Sequence, residues 1–192
     1  MRVGILALQG DFAEHRVMLQ RLGVTTEDVR LPAQLESLSG LIIPGGESTT
    51  IAKLAVCYGL MEPLREFGTE RAIWGTCAGA IFLSKDAHRD QPLLHLMDIT
   101  VERNAFGRQV NSFEVDLMIP ALQDIDSQDK PFHAVFIRAP LIASVQSDTR
   151  ILAKLDDGRI VAAQQGHLLA TAFHPELTDD DRFHRYFLRL IS

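Results

Sequence analysis

The feature that constrains this chain most is a set of short apolar runs, each halted abruptly by a glycine-rich break. Val3–Leu8 stops at Gln9-Gly10-Asp11, Leu41-Ile42-Ile43 at Pro44-Gly45-Gly46, and Ala72-Ile73-Trp74 at Gly75-Thr76-Cys77-Ala78-Gly79. Apolar runs that do not alternate are what strands buried on both faces of a parallel sheet require, and parallel strands need helices between them. The intervening segments supply those helices. Asp11 can cap one in which Phe12, His15, Met18, Leu19 and Leu22 fall at helical spacing before Gly23 ends it. Ser48 or Thr49 can cap a second carrying Ile51, Leu54, Ala55 and Tyr58, and Pro63 suits the first turn of a third. Thr25–Leu31 reads as a further strand and Ala80–Leu83 as a short helix.

The pattern changes in the second half. Ile99–Glu102, Val110–Val115, Ala134–Ile137, Ile142–Val145, Ile151–Leu155, Ile160–Gln164 and Leu168–Phe173 read as short strands with few helices between them. They are expected to extend the sheet as antiparallel strands, with Asp156-Asp157-Gly158 as a hairpin turn. A last amphipathic helix carries Phe183, Tyr186, Phe187, Leu190 and Ile191, with Asp179-Asp180-Asp181 at its start, where the helix dipole favours acids. The expected fold is α/β: a mixed, largely parallel central sheet flanked by helices on both faces, with added antiparallel strands. Segments 85–97 and 121–131 carry no clear pattern. With 192 residues, no repeat and no linker, one domain over 1–192 is expected.

Composition narrows the partners. The formal charge of −6 and the lack of any Lys/Arg cluster argue against nucleic acid and against an anionic membrane. No apolar run approaches the ~18 residues that span a bilayer, and no signal-peptide pattern opens the chain, so a cytoplasmic location is expected. Two cysteines, Cys57 and Cys77, make a disulfide framework implausible and leave room for one reactive thiol. Neither C-x-x-C nor H-E-x-x-H occurs, and no metal site is expected.

Gly75-Thr76-Cys77-Ala78-Gly79 has the G-x-C-x-G form of a nucleophile elbow between a strand and a helix. Its glycines let a sharp turn hold the nucleophile in a strained conformation while neighbouring chain passes close by, and the helix N-terminus favours thiolate. The bland reading is a glycine-rich turn with an incidental cysteine. Among seven histidines, His174 stands out because His174-Pro175-Glu176 follows directly on the strand Leu168–Phe173. In an extended stretch residues i and i+2 share a side, so Glu176 can orient the imidazole. His15, His88, His95, His133, His167 and His184 lack such an acid and read as surface or satisfied core residues. Pro44-Gly45-Gly46-Glu47-Ser48 can aim backbone N–H groups of Gly45 and Gly46 into the cleft as an oxyanion hole, joined by that of Ala78 after the nucleophile. A phosphate loop is the competing reading, but the Lys-Ser/Thr ending is missing.

Together the elbow, the Pro44–Ser48 loop and His174-Pro175-Glu176 resemble the class I, triad-type glutamine amidotransferase family. Leu8-Gln9-Gly10-Asp11-Phe12, Val101 through Val110 with its Arg-Asn-Ala-Phe-Gly-Arg-Gln, Val135-Phe136-Ile137-Arg138-Ala139-Pro140 and Phe173 through Thr178 are similar to the glutaminase subunits of pyridoxal 5′-phosphate synthase. The resemblance covers the chain from Val3 to the last helix. It implies a catalytic Cys77, His174 and Glu176, L-glutamine bound by Gly46, Glu47, Ser48, Arg103, Ile137 and Arg138, and no cofactor on this chain. It further implies a separate synthase subunit with a (β/α)₈ barrel as the acceptor of ammonia, with Gln9 and Gly10 as candidate contacts to it. Without the resemblance, Arg103 and Arg138 read as surface or ion-pair residues. The rival readings are a glutaminase serving another synthase and a catalytically silent relative that only binds a partner.

Overall fold

The computed structural model describes residues 1–103, 112–127 and 129–191. Its first half alternates as the apolar runs require: β1 (Arg2–Leu6), α1 (Phe12–Arg21), β2 (Thr25–Val29), β3 (Gly40–Ile43), α2 (Ser48–Cys57), α3 (Met61–Glu70), β4 (Ala72–Thr76) and α4 (Ala78–Leu83). The second half is rich in strands: β5 (Ser84–Asp86), β6 (Met97–Glu102), β7 (Ser112–Leu117), β8 (Phe132–Ile137), β9 (Leu141–Val145), β10 (Arg150–Lys154), β11 (Ile160–Gln165) and β12 (Leu168–Thr171). It is closed by α5 (Arg182–Leu190).

Ten of these strands form one sheet in the order β2-β1-β3-β4-β12-β11-β9-β6-β5, with β10 beside β11. The block from β2 to β12 is parallel, and β11, β9 and β6 continue it in antiparallel fashion. One pairing sets up everything that follows. β12, the last strand in the chain, lies parallel to β4, with Ala170 opposite Gly75 and Thr171 opposite Thr76. The loops leaving β4 and β12 therefore emerge together at the carboxyl end of the sheet, where ligand sites form in open α/β folds.

The continuous apolar runs are explained by burial on both sides. On β3 and β4, Leu41, Ile43 and Ile73 pack with Ile51, Leu64 and Phe82 on one face, while Ile42 and Trp74 pack with Leu19, Phe183 and Phe187 on the other. Each large side chain so buried contributes roughly 1.5–3 kcal/mol. No helix among the described residues is long and apolar enough to cross a membrane.

Several details differ from the sequence reading. β7 and β8 do not join the central sheet but form a separate two-stranded hairpin, whose buried Phe132, Ala134 and Phe136 pack over the aromatic face of the core. Alternation identifies a half-buried strand without saying which sheet it joins. The expected strand from Val110 begins outside the described residues and is seen from Ser112. The N-cap of α2 is Glu47, whose carboxylate accepts from the Thr49 N–H; Ser48 is already inside the helix and buried. Asp11 holds the N-cap position of α1 but makes no side-chain cap bond. The unpatterned segment 85–97 includes the end of β5 and then runs back over α4, with the Leu94 and Leu96 N–H groups donating to the Phe82 and Leu83 carbonyls.

Candidate active site

At the β4–α4 turn Cys77 has φ 49° and ψ −104°, a region a residue with a Cβ rarely enters. Such strain costs about 1–3 kcal/mol and persists only where neighbours over-determine it. Here the Cys77 N–H donates to Thr171 O on β12 at 2.8 Å, and the Cys77 carbonyl accepts from Ala80 N at 3.1 Å. The flanking glycines are steric necessities. A Cβ on Gly75 would lie 2.5 Å from the Gly79 carbonyl, and one on Gly79 would lie 2.0 Å from Ile43 O. Cys77 is buried, its Sγ 4.0 Å from the carbonyl oxygen of Ile137, whereas Cys57 is exposed.

His174 follows β12 and is tied to the β7–β8 hairpin by its N–H, which donates to Val135 O at 2.9 Å. Its Nδ1 lies 2.7 Å from Glu176 Oε1, and the Cys77 thiol is near enough to act on the ring's titration. Glu176 reaches the ring through a single 3₁₀ turn over Pro175–Leu177, not from the extended stretch that the sequence suggests. Burial alone would lower the His174 pKa, but the hydrogen bonds and charges of Cys77 and Glu176 overcome it and push it up to about 10. Burial raises the Glu176 pKa, against the pull of His174. Asp11, its cap role unused, turns Oδ2 to within 3.6 Å of His174 Nδ1; burial raises its pKa too, and His174 opposes the rise. Asp11, His174 and Glu176 carry ligand atoms within 4.8 Å of one another, a donor set a cation could share, although Nδ1 and Oε1 are already engaged with each other.

Two loops interlock beside this dyad. Asp11 N donates to Gly45 O at 3.1 Å, and Glu47 N donates to Gln9 Oε1 at 2.7 Å. The fit excludes side chains: a Cβ on Gly10, at φ +103°, would fall 1.7 Å from Gly45 O, and one on Gly45 would fall 2.4 Å from His174 Cε1. Gln9 and Gly10 thus brace the Gly45-Gly46 loop against the imidazole. Ala78 opens α4, where first-turn N–H groups have no partner within the helix.

The outer side of the cleft is more open. Arg103 Nη2 lies 2.7 Å from Glu47 Oε1, and Thr49 donates to the same oxygen. Partial burial would raise the Glu47 pKa, but the bonds from Thr49 and the charge of Arg103 outweigh it and lower it. Ser48 is buried, its hydroxyl donating to Gln91 Oε1 at 3.3 Å. Ile137 and Arg138 are exposed at the end of β8, Arg138 at φ 44°. The structure thus places Cys77, His174 and Glu176 together, sets Gly45, Gly46 and Ala78 beside them, and pairs Glu47 with Arg103. The Asn104–Val110 stretch lies outside the described residues. Sequence reading missed Asp11 as a neighbour of the imidazole and His15, whose Nε2 lies 3.4 Å from Glu176 Oε2. No local spacing signals either, since their partners come from the far end of the chain.

The model of the SNO glutamine amidotransferase family matches residues 5–192. Curated relatives named pyridoxal 5′-phosphate synthase subunit PdxT are 60% identical in Herpetosiphon aurantiacus and 57% identical in a Roseiflexus species, each across 99% of this chain and 100% of the relative. A solved glutamine amidotransferase superposes with a TM-score of 0.91 at 50% identity, covering 98% of both chains. PurLQS from Thermotoga maritima, 12% identical with a TM-score of 0.73 over 100% of this chain and 98% of that one, shares the fold.

Proposed function

The chain belongs to the SNO glutamine amidotransferase family, and from that premise we propose that it is the glutaminase subunit of pyridoxal 5′-phosphate synthase, cleaving L-glutamine to L-glutamate and ammonia. The full-length relatives carry that subunit's name. The observation that supports the chemistry best is one buried imidazole held by a carboxylate at 2.7 Å, with a strained cysteine acting on its charge.

Having passed its proton to His174, whose raised pKa favours the thiolate–imidazolium pair, Cys77 Sγ attacks Cδ of the glutamine side chain. The tetrahedral intermediate collapses with loss of the C–N bond, and His174 returns the proton to the leaving ammonia. His174 then activates water, which hydrolyses the γ-glutamyl thioester, releases glutamate and restores the thiol. Glu176 fixes the ring and stabilises its charged form. N–H groups of Gly45, Gly46 and Ala78 would receive the developing oxyanion, each such donor being worth about 3 kcal/mol. At the rim, Arg103 suits the substrate α-carboxylate, Glu47 the α-ammonium, and Ser48, Ile137 and Arg138 complete the site. No cofactor is needed on this chain.

The acceptor chemistry belongs to a partner synthase subunit, which we take to be a (β/α)₈ barrel docked near Gln9 and Gly10 and receiving ammonia through a sheltered path. Glutamate release from L-glutamine, measured with and without that partner, tests the reading. Activity should rise on addition of this synthase, and Cys77→Ala should abolish pyridoxal phosphate formation from glutamine while sparing formation from ammonia. Stimulation only by a different synthase, or loss of both routes, would overturn it.

A further inference from the structure

Beyond Glu176 a second line of buried polar groups runs into the core. Glu176 Oε1 is engaged with His174, while Oε2, on a side chain with no exposed surface, has no hydrogen bond of standard geometry. The imidazole facing it is that of His15 on α1, whose Nε2 lies 3.4 Å from Oε2 and 3.2 Å from Oγ1 of Thr76, the residue before Cys77. His15 Nδ1 in turn lies 3.0 Å from His184 Nε2 on α5. Both imidazoles are fully buried, and Trp74 meets each ring edge-on at centroid distances of 5.5 and 4.9 Å. Three elements remote in sequence thus converge behind the acid of the triad.

Proton counting selects one arrangement. Burial holds both rings neutral: it is the main cause that lowers His15 well below its usual pKa, and it alone takes His184 to about 3. A neutral imidazole has a single N–H. With that proton on Nδ1 of His15, the Nε2 lone pair would face the Glu176 carboxylate, and His184 would carry its own proton on Nδ1, a buried atom with no partner. With it on Nε2 of His15, the N–H points at Glu176 Oε2 and Thr76 Oγ1, Nδ1 accepts from His184 Nε2–H, and only a lone pair on His184 stays bare. An unpaired buried acceptor is tolerated better than an unpaired buried donor.

We propose that His15 is a positioning residue of the glutaminase site, donating from Nε2 to Glu176 Oε2 so that this buried carboxylate stays ionised and holds His174 charged while Cys77 attacks. The need for a donor there is physical. Asp11 places a second carboxyl beside His174, and its charge, like burial, works against ionisation of Glu176. His174 opposes this at Oε1; the His15 N–H would add to it at Oε2, and Thr76 and His184 fix the His15 ring. The inference rests on the triad reading above.

The test follows the pH dependence of Cys77 alkylation by iodoacetamide in the assembled complex, read at Cys77 by peptide mass mapping, beside glutamine hydrolysis. His15→Leu should move the alkylation midpoint up by about one pH unit, since a Glu176 that protonates more readily supports the charged imidazole less. It should also lower kcat about tenfold to a hundredfold with KM little changed. His15→Gln, whose amide N–H can reach the former Nε2 position, should recover most of both, and His15→Asn, whose amide mimics only Nδ1, should not. In a Glu176→Gln background His15→Leu should add no further shift. Equal defects in the Gln and Asn variants, an unchanged alkylation profile, or a full additional shift on Glu176→Gln would overturn the proposal. If the profile shifts as expected while even the unaltered complex releases no glutamate, the glutaminase reading fails and the positioning role stands.

Discussion

Cys77, His174 and Glu176, at 6, 4 and 6% exposure, are each fixed by contacts that no substrate supplies, whereas Ile137 at the rim is 42% exposed and Arg103 holds Glu47 across an open cleft. The floor is set by strained backbone, glycine-only close approaches and buried hydrogen bonds. The rim is set by one ion pair and a loop end. A partly exposed ion pair of this kind contributes about 0–1 kcal/mol, so opening it for a zwitterionic substrate costs little. On the proposed function, a preset floor and a loosely paired rim would divide the labour: the floor would govern the chemical step, and the rim capture.

That division breaks most visibly at Glu176. Glu176→Gln keeps the size of the side chain but removes the charge proposed to stabilise the imidazolium, and such an acid-to-amide change lowers kcat by about 10⁴-fold in a comparable triad. Glutamate release by the assembled complex should show that fall with KM nearly unchanged. A rise in KM of similar size would mean that the floor also takes part in capture.

The floor was also the part most legible in sequence. Gly75 and Gly79 are demanded by backbone within 2.5 Å of where their side chains would begin, so the elbow is written locally. The runs Leu41–Ile43 and Ala72–Trp74 read as strands buried on both faces because both faces are buried. Legibility ends where the partner is distant. His184 lies 169 positions from His15, so their contact has no local pattern, and both read as unremarkable histidines. The cap of α2 is Glu47, although Ser and Thr are the better caps on intrinsic preference, because Glu47 also bonds Arg103 and Thr49. The hairpin of β7 and β8 alternates as a half-buried strand should, but its place over the core depends on aromatic packing with residues distant in sequence, such as Phe136 against Phe173, centroids 5.5 Å apart. The rim was legible only through family likeness.

A smaller effect sharpens the other side of the comparison. Arg103→Gln removes the cation offered to the α-carboxylate, and a charge-assisted bond is worth about 1.5–3 kcal/mol, or roughly tenfold to a hundredfold in binding. Steady-state kinetics should show KM rising by that factor with kcat changed less than about threefold, and the urea midpoint should barely move. A collapse of kcat instead would place Arg103 in the chemical step.

Acid should separate floor from rim by the smallest margin, through stability. His184 has a folded pKa of about 3 against about 6.5 for a free imidazole, so in this interval the unfolded chain binds the extra proton. Stability is then full above about 6.5 and is lost as pH falls towards the folded value, at up to about 1.4 kcal/mol per pH unit for each such histidine; His15 acts in the same direction. Glu47 acts in the same direction but only at lower pH. Its lowered pKa keeps the ion pair with Arg103 intact until pH falls below the ordinary carboxylate range. Mild acid therefore weakens the floor, by protonating the imidazoles that unfolding exposes, before it reaches the rim. Urea midpoints at pH 7.5 and 5.5 for the wild type and His184→Leu measure this: the variant, with one fewer imidazole to protonate on unfolding, should lose less between the two. Equal losses would show that the buried imidazoles do not set the acid sensitivity of the floor.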